Sequence, residues 1–205
     1  ASSRGVFGSS IVPIRLVFIM WLAFSMEVFY RIDLGWLGIL PRTWSGLIGI
    51  FTAPVIHANL THLISNSVPL LFLGSVLFFF YPKIGGTVFF RCYFITNVLV
   101  WLFSPRVSYH IGASGLVYGL SAFLIFFGFL RGQVWSLIIS ILIFAMYGGI
   151  FYGVLPTNPW ISWESHLSGA IVGAVSAFDL DLNLHDDGYC RQENTLRPEV
   201  PEIRS

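Results

Sequence analysis

Six long apolar runs limit what this chain can fold into more than any other feature of its 205 residues. Charges, prolines or glycine clusters bound them at Ile11–Tyr30, Leu63–Phe80, Gly85–Phe103, Ser114–Leu130, Val134–Leu155 and Ser165–Leu182. A bilayer core about 30 Å thick takes roughly 20 apolar residues per helix, and each run is about that long. In lipid a helix satisfies its own backbone hydrogen bonds, so the runs predict an all-α, polytopic membrane protein built as a bundle of six transmembrane helices. Composition agrees: 56% of residues are hydrophobic and 10% charged, with mean hydropathy +0.78, which excludes a water-soluble globular enzyme. No basic patch interleaves with aromatics, which argues against a nucleic-acid partner, and Cys92 and Cys190 sit in contexts too different to suggest a disulfide framework.

The charge is unevenly spread. Residues 1–178 carry eight basic and three acidic side chains, whereas residues 179–205 carry three basic and seven acidic. The expected organisation is a disordered N-terminus over 1–10, a membrane domain over 11–182 and an acidic soluble tail over 183–205. Within that domain, residues 33–56 are apolar but broken by Pro41, Arg42, Thr43, Ser45 and four glycines, so they are expected to lie in the interface as a loop rather than to span. Six spans put both termini on one side. That side collects Arg4, Arg15, Lys83, Arg91, Arg131, Arg191, Arg197 and Arg204, against Arg31, Arg42 and Arg106 opposite, which predicts cytoplasmic termini.

In so apolar a chain the informative residues are the polar ones at the mouths of spans, since each needs a partner where there is no water. His57, His62 and Asn66 stand at the start of the second span. Gly112-Ala113-Ser114-Gly115 opens the fourth, with Tyr118 one turn on, and Trp163-Glu164-Ser165-His166 opens the sixth, followed by Gly169 and Gly173. These three spans enter from the same face, so the clusters lie at one depth. His62 and Asn66 are four residues apart and share a helix face. The pairs Gly115/Gly119 and Gly169/Gly173 are small-xxx-small patterns that let backbones approach, which would bring Ser114 within reach of His166.

That pairing carries a chemistry. A serine hydroxyl becomes nucleophilic when a neighbouring base takes its proton, and histidine suits that role near neutrality. Acyl transfer also needs donors for the developing oxyanion, which the Ser114 N–H, His62 and Asn66 could supply. Glu164 points elsewhere on its helix from His166, so a Ser-His dyad is expected, with the imidazole packed on Tyr118. His110 and His185 are expected to be solvated loop residues, and Glu27 to reach the interface. The histidines could instead hold a metal or haem, but His57 and His62 do not share a face and no Cys or carboxylate accompanies them; no metal or other cofactor is expected.

These residues resemble the rhomboid family of intramembrane serine proteases. The likeness covers roughly residues 50–178 and rests on three separated motifs in order: His57 through His62 to Asn66; Gly112-Ala113-Ser114-Gly115 with Tyr118; and Gly153-Val154-Leu155-Pro156 followed by Ile161 to His166 with Gly169 and Gly173. It implies a rhomboid-like bundle with Ser114 as nucleophile, His166 as general base, and His62 and Asn66 as oxyanion stabilisers. It also implies substrates that are single transmembrane helices, cleaved near the outer surface after entering past the fifth helix and its loop, Trp135 to Trp160 with Phe151 and Tyr152. One departure is visible: the Trp-Arg pair of the family's first loop is absent, with Arg42-Thr43-Trp44 its nearest substitute. A catalytically inactive relative that binds transmembrane clients is the alternative, and a small transporter is a further rival that the missing internal repeat opposes.

Overall fold

The computed structural model describes the backbone of residues 6–148, 153–155 and 162–195, with side chains over the same ranges except 6–7 and 183–195. Six long helices carry the fold: α1 (Val6–Tyr30), α2 (Leu60–Phe80), α3 (Gly85–Phe103), α4 (Ser114–Arg131), α5 (Val134–Tyr147) and α6 (Trp163–Thr195). Among the described residues there is no β-strand, only an isolated antiparallel bridge between Ile39 and His110. Helices α1 to α4 are long and apolar enough to cross a membrane, whereas α5 is apolar but has 14 residues.

Local chemistry sets the helix ends. The Asn59 side chain accepts the His62 N–H at 2.8 Å, an N-cap that starts α2 at Leu60 rather than at the expected Leu63. Gly132, at φ +60°, ends α4 in the left-handed conformation that glycine takes without strain. α1 begins at Val6, so residues 6–10, expected to be disordered, are helical; Ser10 accepts a hydrogen bond from the Ser75 hydroxyl of α2 at 2.8 Å. The backbone of α6 likewise stays helical past Leu182 to Thr195, into the stretch expected to be a soluble tail. Phe151, Tyr152 and Trp160, expected at the substrate entry, and the tail beyond Thr195 lie outside the described residues.

α4 is the central post. Of its apolar stretch 72% is buried, against 44% for α2, 28% for α3 and 11% for α1, so it is the most enclosed of these four helices. α2, α3, α5 and α6 all pack on it, and α1 packs on α2. The closest approach is between α4 and α6, where a Cβ added at Gly169 would overlap the Gly115 carbonyl oxygen and one at Gly173 the Gly119 carbonyl oxygen. Both glycines are required there, because backbone meets backbone.

Residues 31–59 form short helical turns, the longest composite being Ser45–Val55. α3 holds them through Tyr93, Asn97 and Trp101, which are spaced four apart on one helix face. Their side chains donate to the carbonyls of Phe51 at 2.6 Å, Ile50 at 2.9 Å and Thr43 at 3.0 Å. Arg42 adds its N–H to the Trp101 carbonyl at 3.0 Å and its guanidinium to the Ser104 carbonyl at 2.5 Å. The loop is therefore anchored without the family's Trp-Arg pair.

Candidate active site

The first turn of α4 starts with a strained approach. Gly112 has φ +106°, and a Cβ there would lie 2.6 Å from His62 Cε1, 2.7 Å from His62 Nε2 and 3.5 Å from Asn66 Nδ2. Only glycine lets the chain, two residues before Ser114, pass this close to the α2 face that carries His62 and Asn66. Ser114 is the first residue of α4, so its N–H has no acceptor within the helix.

Asn66 is buried, and its Nδ2 is shut off from solvent with no hydrogen-bond partner among the described residues. An unused buried amide donor costs about 1–3 kcal/mol, and this one lies beside Gly112, 3.5 Å from where a Cβ would stand.

His166 is held from two sides. Its ring stacks on Tyr118, with centroids 4.0 Å apart and planes 9° from parallel. Its Nδ1 lies 2.9 Å from the Gly153 carbonyl oxygen. A carbonyl only accepts, so Nδ1 carries the proton and, in the neutral ring, Nε2 keeps its lone pair. A Cβ at Gly153 would overlap the Tyr118 hydroxyl and lie 3.1 Å from His166 Nδ1, so this position also has to be glycine. Tyr118 and Ser114 are one turn apart on α4, and Gly115 and Gly169 bring the two helices into backbone contact beside them. No hydrogen bond joins Ser114 Oγ to His166 among the described residues.

Four groups support this site through contacts that sequence reasoning did not assign. His57 is buried beside His62, ring centroids 5.0 Å apart. Its Nδ1 donates to the Val55 carbonyl at 3.1 Å, leaving Nε2 to face the Ala113 N–H at 3.5 Å. Burial first, and the neighbouring His62 second, hold its pKa down to about 4, against the opposing pull of the Val55 carbonyl. His110, expected to be solvated, is 3% exposed. It meets the Ser104 hydroxyl at 2.9 Å and the Ser162 hydroxyl at 2.6 Å, and its backbone pairs with Ile39, so it ties two loops to the start of α6. Burial lowers its pKa, opposed by the Glu164 charge and by a hydrogen bond to the Arg106 carbonyl, with the Arg106 charge adding to the shift.

Arg106 and Glu164 form a two-pronged ion pair, Nε to Oε1 at 2.6 Å and Nη2 to Oε2, with Glu164 buried. Glu164 is thereby occupied two residues before His166 and does not orient it. The fourth group is the Gly153 carbonyl, whose role no residue pattern announces. Glu27, half-buried, accepts the Leu34 N–H at 2.9 Å and so secures the turn after α1.

The fold and site define a class: an integral helical membrane protein in which buried His57, Asn66, His110, Glu164 and His166 lie at the end of the bundle where α4 begins. A family model for the Rhomboid domain matches residues 44–180. The chain belongs to the rhomboid family of intramembrane proteases. It is 38% identical over 160 residues to an uncharacterised protein of Mycobacterium tuberculosis, covering 72% of this chain and 64% of that protein. The chain thus spans under two thirds of that relative's length. It is 29% identical over 175 residues to YdcA of Bacillus subtilis, whose provisional name is rhomboid protease, covering 78% and 82%. It is also 29% identical over 143 residues to the chloroplastic rhomboid-like protein 11 of Arabidopsis thaliana, covering 60% and 49%.

Proposed function

We propose that this chain is an intramembrane serine endopeptidase that cuts transmembrane-helix substrates near the outer membrane surface, in a bacterial inner membrane with its termini cytoplasmic. His166 Nε2 takes the Ser114 proton as Oγ attacks the scissile carbonyl carbon. The resulting oxyanion is met by the Ser114 N–H, the Asn66 amide and His62. Collapse expels the amine, which receives the proton from His166; water then attacks the acyl-serine with His166 again as base, freeing the acid and restoring the serine. The Gly153 carbonyl stands where a triad would place a carboxylate, fixing the tautomer without adding a charge.

The observation that carries this reading is the unpartnered Asn66 Nδ2 beside the first turn of α4. A polar donor kept buried and idle suits a site that waits for a transient negative charge. A fluorophosphonate probe on the purified protein tests it: the wild type should be labelled, and Ser114→Ala should remain folded and unlabelled. A folded wild type that takes no label would instead fit a client-binding relative without catalysis.

A further inference from the structure

The end of the bundle away from Ser114 holds a second polar feature. α4 runs 18 residues from Ser114 to Arg131, so its far end lies about 25 Å from the serine at roughly 1.5 Å per residue. There, between the turn joining α2 to α3 and the foot of α5, a cavity of about 460 Å³ opens at the surface. Its polar wall includes Lys83, Arg131 and Gln133; its apolar wall includes Phe80, Trp135 and Ile139. Arg131 sits over the Phe127 ring, its guanidinium carbon 5.9 Å from the centroid, and is 3.9 Å from Asp181, while Lys83 is exposed. Among the described residues, two cations therefore share the rim with one carboxylate behind them.

The location adds a second argument. α5 packs mainly on α4, and Tyr147 at its far end meets Phe72 of α2 with ring centroids 5.9 Å apart. At its foot α5 faces the cavity instead, and Trp135 is 74% exposed. All the helix ends around the cavity lie at one level, where an apolar span gives way to polar residues, which is the depth of a lipid headgroup. Basic pockets between transmembrane helices at that depth suit anionic headgroups.

From this juxtaposition we infer that the cavity between the α2–α3 turn and the foot of α5 binds an anionic phospholipid, its phosphate held by Lys83 and Arg131 and its acyl chain against Phe80, Trp135 and Ile139. The bound lipid bridges α5 to the α2–α3 turn. A free phosphate shares the headgroup chemistry but leaves the apolar wall unused.

The test uses the full chain in phosphatidylcholine nanodiscs, titrated with phosphatidylglycerol or phosphatidylcholine brominated on the acyl chains. The quenching of Trp135 is read as the difference between wild type and Trp135→Phe. Brominated phosphatidylglycerol should quench at a lower mole fraction than brominated phosphatidylcholine, and Lys83→Gln and Arg131→Gln should each cut that preference about fivefold. Lys83 is exposed and makes no ion pair among the described residues, so its variant keeps the test open if Arg131→Gln fails to fold. Equal quenching by the two lipids, or a preference unchanged in Lys83→Gln, overturns the proposal. So does relief of quenching by millimolar inorganic phosphate at matched ionic strength, which would assign the cavity to a free anion. The experiment reads no proteolysis, so it stands apart from the catalytic proposal.

Discussion

α6 and α5 both lean on α4, and they do so differently. α6 meets it at two glycine pairs one turn apart, Gly115 with Gly169 and Gly119 with Gly173, where backbone touches backbone. α5 makes one such approach, at Gly128, where an added Cβ would lie 2.5 Å from the Ser136 carbonyl oxygen and 2.6 Å from Ser140 Cβ. The Ser140 hydroxyl adds one hydrogen bond, to the Ile125 carbonyl at 2.5 Å. Two contact points fix the direction of a helix as well as its distance, while one leaves the direction to side-chain packing. The helix that carries His166 is thus the one held by the less compressible seam, as the proposed dyad without an orienting carboxylate would require.

The largest break in this comparison is expected from Gly169→Leu. Its side chain would have to push the Gly115 carbonyl away, an overpacking that costs about 1–3 kcal/mol or more, and the displaced α6 should abolish fluorophosphonate labelling at temperatures where circular dichroism still reports helix. Next in size is Asn66→Ala, expected to lower kcat by about 10²–10³ while leaving the thermal midpoint unchanged or raised, because the amide it removes has no partner. A fall in midpoint with kcat intact would mean that Asn66 is structural.

Acid should act on the same end of the molecule. His57 has its pKa depressed from 6.5 to about 4, so the unfolded chain binds the proton first, and stability is lost as pH falls from 6.5 and is fully lost below 4. That depression corresponds to about 3 kcal/mol at most. His110 shifts in the same direction, so His57→Gln should flatten the pH dependence of the melting temperature in this window without removing it. The smallest effect belongs to α5: Ser140→Ala deletes one hydrogen bond, expected to cost about 1 kcal/mol in thermal unfolding, and should leave labelling of Ser114 at the wild-type rate. A labelling loss as large as that of Gly169→Leu would erase the distinction between the two helices.

Much of this was legible in the sequence because it obeys a period. Apolar length marks the spans, and glycines four apart mark the α4–α6 seam. The i, i+4 relation of His62 and Asn66 put them on one face, and both lie against Gly112. What stayed hidden has no local signature. His110 reads as a loop residue, and its burial comes from Ser104, Ser162 and a bridge to Ile39, 71 positions back. Arg106 and Glu164 are 58 residues apart, and their pairing depends on how the loop after α3 meets α6. Tyr93, Asn97 and Trp101 do show a four-residue spacing, but their acceptors are backbone carbonyls of an irregular loop, which no side-chain pattern can announce. The Gly153 carbonyl is the extreme case, since any residue has one.

The central claim is that Ser114 and His166 act as nucleophile and base on a seam that holds them without an orienting carboxylate. Cleavage of a single-span reporter protein in proteoliposomes, comparing wild type with His166→Ala, addresses it most directly. The wild type should cut the reporter near its outer membrane boundary, and His166→Ala should leave it intact while melting close to the wild type, since the glycine contacts lie beyond the imidazole. Continued cleavage by folded His166→Ala would contradict the account.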